Sequence, residues 1–333
     1  MTSNNYRQTN DFFGDNKPKK HSKTPEGREK TQPAMELTDA IDEFMLMAKV
    51  DGRAESTINL YEYVFDRFTK EIGKETPIGD ITTKDGRKFL AGLMDEDLKN
   101  TTVSIYHRVL NAFFNWLYEE SFIEVSPFNQ IDEPKTPDKF PRFLKEEEVE
   151  ALLQAEKDRD GTWAGYRNYV MLLVFLDTGI RLSEFINAKI EDLDIENRSL
   201  KVHGKGSKDR NVFFGRKTAK GLIRWLRIRN NVERVWVDTI FISQNGDKLK
   251  DRNVQRLITR IQKRAGLDDK KVSPHCLRRT SATLAVKNGL DAFSLKRQFG
   301  WEKIETAMRY VHMTDSEIKE TYRDSSPLSD IQE

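Results

Sequence analysis

Only one stretch of this chain alternates in the manner of a β-strand. In SLKVHGKGSKDRNVFF, Leu200 and Val202 alternate with Lys201 and His203, and Val212 and Phe214 alternate again beyond a Gly204-Lys205-Gly206-Ser207 turn. Apolar residues two apart line one face of a strand. The stretch therefore predicts an antiparallel hairpin with Lys205 at its tip, between two glycines. Elsewhere the apolar residues recur at intervals of three and four, the helical period. A mainly α protein with one small antiparallel sheet is expected.

The helical signal falls into two blocks. The first begins at Met35, with Leu37, Ile41, Phe44 and Met45 on one face and Thr38 or Asp39 as the expected cap. A second helix is expected after Ser56-Thr57, carrying Leu60, Val64, Phe65 and Phe68, and a third through Phe89, Leu90 and Leu93. A fourth runs from about Thr102 to Glu120 with Ile105, Val109, Leu110, Phe113, Phe114 and Leu117. Four such helices make a compact all-α domain over residues 35–131. The proline-rich segment DEPKTPDKFPR, residues 132–142, reads as a linker. Beyond it, Lys145 to Glu148 opens another helix, and VMLLVFL (Val170 to Leu176) is a core helix too short to span a membrane.

Residues 1–34 are polar, with seven basic side chains against four acidic ones, and read as a disordered basic arm. At 333 residues, with 33% charged side chains, the chain has room for two soluble domains, and a cytoplasmic location is expected. One cysteine, Cys276, excludes an intrachain disulfide and a cysteine-rich metal site, and is expected to be buried and inert. The net charge of +2 neither requires nor excludes nucleic acid.

Four places carry residues suited to an anion. In TGIRLSEF a helix is expected to end at Thr178-Gly179 and another to start at Ser183 as its cap. Arg181 then sits in the connection, with Glu184 close enough to orient it. Taken alone, this is an arginine at a helix end. The hairpin tip presents Lys205, with Lys208 and Arg210 nearby; taken alone, these are solvated turn residues. In SPHCLRRTSATLAVKNG, Ser273 caps, Pro274 starts and Gly289 stops a helix. His275 and Arg278 then share a face of the first turn, where free N–H groups already favour anions, a pairing that leans towards phosphate. In GWEKIETAMRYVHM, Ile304, Ala307, Met308 and Val311 form the apolar stripe, and Tyr310 lies about a third of a turn away from it. Tyr310 there is either a rim residue with its hydroxyl in water, the usual case for such a position taken alone, or a phenol aimed at a substrate, and Trp301 is expected after a helix-ending Gly300.

Taken in order, Arg181, Lys205, the H-x-x-R pair His275 and Arg278, Gly300-Trp301 and Tyr310 resemble the active-site set of the tyrosine recombinases, the phage-integrase and Xer-like family. The resemblance covers nearly all of the chain beyond the arm. It implies an N-terminal helical core-binding (SAM-like) domain at 35–131 and an α-rich catalytic domain at 143–312 with that family's fold. A tail at 313–333 would contact a neighbouring subunit. Tyr310 would be the nucleophile, forming a 3′-phosphotyrosyl link to DNA and freeing a 5′-hydroxyl, which removes the need for a cofactor or metal. Arg181 and Arg278 would clamp the nonbridging oxygens, Lys205 would act as general acid, and His275 would assist proton transfer. Trp301 would position the phosphate and Glu184 would support Arg181.

Two positions depart from many relatives. Trp301 stands where histidine is frequent, and an indole donates one hydrogen bond but shuttles no proton. Arg279 stands where Xer-like chains often have histidine; Arg278 is preferred as the clamp by its spacing from His275, with Arg279 as the alternative. The resemblance implies a site-specific recombinase on double-stranded DNA, a homotetramer in the synaptic complex, with accessory DNA-bending or directionality proteins and no membrane. The basic arm favours the integrase of a mobile element. A Xer-type chromosome or plasmid dimer resolvase, a type IB topoisomerase-like enzyme and a non-cutting architectural protein are the alternatives.

Overall fold

A computed structural model describes residues 35–135, 142–157, 162–204 and 209–313. The arm, most of the expected linker, Lys205 and the tail beyond Met313 lie outside the described residues. The chain divides into two compact units, residues 1–139 and 140–333.

In the first unit, α1 (Leu37–Val50), α2 (Glu55–Ile72), α3 (Thr83–Asp95) and α4 (Asn100–Glu119) enclose a core rich in phenylalanine. Phe44 meets Phe113 edge-on at 5.4 Å, and Phe114 stacks on Phe128 at 5.2 Å. Such pairs add to area burial because ring edges and faces carry opposite partial charge.

The helix starts differ from expectation. Neither Thr38 nor Asp39 caps α1, which begins at Leu37; the amides of Leu37 and Thr38 donate to the carbonyls of Thr76 and Lys74. A tertiary contact with a distant loop thus satisfies donors that a side chain was expected to satisfy. Helix α2 starts at Glu55, placing Ser56 and Thr57 inside it, and Thr57 is buried. Where a side-chain cap does form, at α3, Thr82 and Asp85 exchange hydrogen bonds in a capping box. In α4, Val109, Leu110, Phe113, Phe114 and Leu117 are buried as expected; Ile105 alone of that set is exposed, and Tyr106 and His107 are buried beside the others.

The second unit is built around α6 (Trp163–Thr178), which is buried on most sides, mainly through apolar residues but also through Arg167 and Asn168. It packs against α5 (Glu146–Lys157), α8 (Arg216–Asn230) and α10 (Pro274–Lys287). A helix buried all round cannot be amphipathic, which is why VMLLVFL reads as one run. Trp225 of α8 is fully buried, and its indole donates to the Ile240 carbonyl at 2.9 Å.

The hairpin forms as expected. Strands β2 (Ser199–His203) and β3 (Asp209–Phe213) pair antiparallel, with Leu200 opposite Val212 and Val202 opposite Arg210. A two-residue strand β1 (Leu193–Asp194), not foreseen, completes the sheet in the order β1-β2-β3. The short helix α7 (Leu182–Asn187) follows α6, and α9 (Asp251–Arg264), α11 (Ala292–Phe299) and α12 (Ile304–Met313) complete the unit. Cys276 is buried, and burial pushes its thiol up. No described helix is long and apolar enough to cross a membrane.

Phe114 is fully buried at the centre of the first core. Phe114→Ala should cost about 3–5 kcal/mol through lost burial and an unfilled cavity. Urea unfolding followed by circular dichroism measures the loss.

Candidate active site

Two glycine turns set the geometry. Helix α6 ends at Gly179 and α11 at Gly300, both left-handed at φ 60°. Neither tolerates a side chain. A Cβ on Gly179 would lie 2.2 Å from the Phe299 ring, and one on Gly300 would lie 2.8 Å from the Arg210 guanidinium. The carbonyls at these ends have no helical partner and carry the partial negative charge of the helix C-terminus.

Arginines meet that charge. Arg278, in the first half of α10, donates to the carbonyls of Gly179 and Phe299 and lies over the rings of Phe299 and Trp301. Arg181, between α6 and α7, donates to the Gly300 carbonyl at 2.9 Å. Arg210, on β3, donates to the Gln298 carbonyl at 3.2 Å. Three guanidiniums are thereby drawn to the same pair of helix ends.

Among the described residues, Glu184 is the carboxylate that binds two of them, Arg181 and Arg210. It accepts the Arg181 backbone amide at 2.9 Å and the Arg181 Nη1 at 2.9 Å. Arg210 binds both its oxygens, at 2.7 and 2.9 Å. Glu184 is buried, yet Arg210 and Arg181 outweigh the cost of that burial and hold its pKa down to about 2. Ser183 does not cap α7. Arg181 occupies that position, and Glu184 at the third helical position closes the turn.

One carboxylate does not balance three guanidiniums. Burial, and then the charges of Arg181 and Arg210, push Arg278 down to about 9, still protonated at neutral pH. His275, in the first turn of α10 after the Ser273 cap, keeps an exposed face, yet partial desolvation against the protein and then the charges of Arg279, Arg278 and Arg181 hold it below its ordinary 6.5. Its imidazole is thus kept neutral and able to accept a proton. Side-chain exposure separates the arginines, at 39% for Arg181 and 14% for Arg210. Arg278 is buried, and Arg279 beside it is exposed.

Tyr310 departs from expectation. It is not a rim residue but buried, in one cluster with Ala307, Leu295, Phe299 and Ala282. Its ring stacks on Trp301 at 5.2 Å and 7°. Of the expected stripe, Ala307 is fully buried, whereas Ile304, Met308 and Val311 are only partly buried. An aromatic partner outside the helix turns the face that packs. Burial raises the Tyr310 pKa, and Arg279, Arg278 and Arg309 offset part of that rise.

The structure therefore brings together Arg181, Glu184, His275, Arg278, Trp301 and Tyr310; Lys205, in the β2–β3 connection, lies outside the described residues. Arg210 was noted in the sequence only as a neighbour of Lys205. Its signal was readable, since it lies two residues before Val212 and so on the packed side of β3, an unusual place for an arginine.

Residues 142–317 match the model of the phage integrase family, and residues 40–124 match that of the phage integrase N-terminal SAM-like domain. The chain is 32% identical over 289 residues to tyrosine recombinase XerC of Staphylococcus carnosus (strain TM300), covering 86% of this chain and 96% of that protein. It is 31% identical over 266 residues to tyrosine recombinase XerC of Listeria monocytogenes serovar 1/2a (strain ATCC BAA-679 / EGD-e), covering 79% and 88%. Among solved structures, the fold is similar to XerH site-specific recombinase bound to a palindromic difH substrate, with TM-score 0.70, 23% identity and coverage of 84% and 82%. It is also similar to the Tn1549 transposon integrase with transposon right end DNA, with TM-score 0.72, 19% identity and coverage of 88% and 100%.

Because the Glu184 pKa is depressed from 4.5 to about 2, the stability it contributes is complete above pH 4.5 and is lost as pH falls towards 2. Urea unfolding between pH 5 and 2 should show that decline in the wild type and a shallower one in Glu184→Gln. Equal slopes would remove Glu184 from the acid response.

Proposed function

The chain belongs to the phage integrase family and is a tyrosine recombinase, an enzyme of site-specific recombination; on that premise we propose that Tyr310 attacks a phosphodiester of duplex DNA. The step forms a 3′-phosphotyrosyl link and frees a 5′-hydroxyl. A 5′-hydroxyl of the partner duplex then reverses it and reseals the strand. The observation that carries this reading is the excess positive charge of Arg181, Arg210 and Arg278 over one carboxylate, in the cluster whose buried stack holds Tyr310.

The roles follow from chemistry. Arg278 and Arg181 stabilise the nonbridging oxygens, where negative charge develops, and a planar fork suits two oxygens better than a point charge. Arg181, the most exposed of the three arginines, meets the incoming phosphate. Burial keeps the Tyr310 phenol protonated at rest, so its proton must leave as the P–O bond forms; neutral His275 is the acceptor. Lys205 protonates the leaving 5′-oxygen. Trp301 packs flat on Tyr310 and sets its ring plane. Glu184 orients Arg181.

Residues 35–131 form the core-binding domain and residues 143–312 the catalytic domain, both on the same duplex. Four subunits assemble at synapsis, with residues 313–333 reaching a neighbour, and accessory bending or directionality proteins act with them in the cytoplasm. The basic arm supports the integrase of a mobile element. Xer-type dimer resolution is the second reading, favoured by the XerC relatives matched over nearly their whole length.

Incubation with sheared DNA of the source organism, denaturation and sequencing of protein-linked fragments tests the reading. Adducts that vanish in Tyr310→Phe are expected, clustered at element ends for an integrase or at one chromosomal site for a resolvase. Arg278→Lys should lower adduct formation about 10²–10³-fold, whereas Arg279→Gln spares most of it. Adducts that persist in Tyr310→Phe, or the reverse ranking of the two arginines, would contradict these assignments.

A further inference from the structure

We propose that Arg210 is a positioning residue for the recombination site: it fixes the Glu184 carboxylate, through which it aims Arg181, and it ties the Lys205 hairpin to the Gly300–Trp301 turn. The inference rests on the reading of Arg181 and Tyr310 given above and adds a residue to it.

Four observations converge on this side chain. Both oxygens of Glu184 are held by the two terminal nitrogens of Arg210, at 2.7 and 2.9 Å, whereas Arg181 takes one of them through its side chain. The third donor of Arg210, Nε, reaches the Gln298 carbonyl at the end of α11. Its guanidinium also fills the space a Cβ would need at Gly300, two residues after Gln298. And its backbone, opposite Val202 on β2, lies next to the connection that contains Lys205. One side chain rooted on β3 of the hairpin therefore binds α7 and the end of α11 at once, and only 14% of it is exposed.

The physical consequence concerns Arg181. That side chain is 39% exposed and carries several freely rotating bonds, so left alone it would sample many rotamers. Glu184 restricts it, but a carboxylate bound only by Arg181 could rotate with it. The Arg210 fork fixes the carboxylate plane, because two parallel N–H···O bonds allow one orientation. Arg181 then presents its guanidinium from a fixed support to Gly300 and to whatever anion arrives. A lysine at 210 would keep the charge but could not span both oxygens.

Adduct formation on sheared genomic DNA of the source organism would be timed for the full chain. The variants are Arg210→Lys, Arg210→Gln, Glu184→Gln and the Arg210→Gln/Glu184→Gln double. Retention of the same DNA on a filter and thermal unfolding would be measured in parallel. Arg210→Lys should slow adduct formation about 10–100-fold while DNA retention and melting hardly change, since a small misplacement acts on the reacting geometry more than on binding. The double variant should be no slower than Glu184→Gln alone, because both substitutions disable one support. Wild-type rates in Arg210→Lys, a loss that only tracks the melted fraction, or multiplied losses in the double variant would overturn the inference. If Arg210→Gln fails to fold, Arg210→Lys carries the test. A wild type that forms no adducts would sink the recombinase mechanism and this inference together, whereas an active wild type with an unaffected Arg210→Lys sinks the inference alone.

Discussion

Glu184, one buried carboxylate held by two arginines beside a third, is the interaction on which the rest of this site depends. Without it, Arg181, Arg210 and Arg278 would repel one another in a poorly solvated space; with it, the site is stable but still positive. On the proposed reading a phosphate completes the balance, and the burial of a costly cluster then serves function more than stability.

Helix ends do the rest of the positioning. Gly179 and Gly300 end α6 and α11 with a single left-handed residue each, and the carbonyls of Gly179, Gln298, Phe299 and Gly300 become acceptors for guanidiniums. The same turns bring Phe299 and Trp301 under Arg278 and place Trp301 flat against Tyr310. A glycine with no room for a Cβ, an arginine with carbonyls to bind and a tyrosine with an indole to stack on are thus one construction. The raised Tyr310 follows from it, since burial disfavours the charged form, and the lowered His275 reflects partial desolvation together with the arginines around it.

Much of this was legible in the sequence. The alternation around Lys201 and His203 specified the hairpin, and Ser273-Pro274 specified the start of α10. The order of Arg181, His275, Arg278, Trp301 and Tyr310 picked out the residues that the fold gathers. What escaped has physical causes. The start of α1 is settled by tertiary partners, Lys74 and Thr76, that no local window contains, whereas at α7 a local pair, Arg181 with Glu184 three residues on, takes the place expected of Ser183. Tyr310 was placed off the packed face because periodicity counts only apolar positions within one helix, and its partner Trp301 lies outside α12. Strand β1 is two residues long, too short to alternate. Arg210 carried a readable signal, a charged residue on the inward side of β3, but its meaning needed Glu184 in space.

The central claim is that the site carries uncompensated positive charge awaiting an oxyanion, and the titration of His275 reports it most directly. Its imidazole would be followed by NMR in chloride and in sulfate at equal ionic strength, with Arg181→Gln alongside. Sulfate should raise the His275 pKa from its depressed value towards 6.5, and should do so less in Arg181→Gln. A His275 pKa already at 6.5 in chloride, or one that saturating sulfate leaves unmoved, would contradict the account.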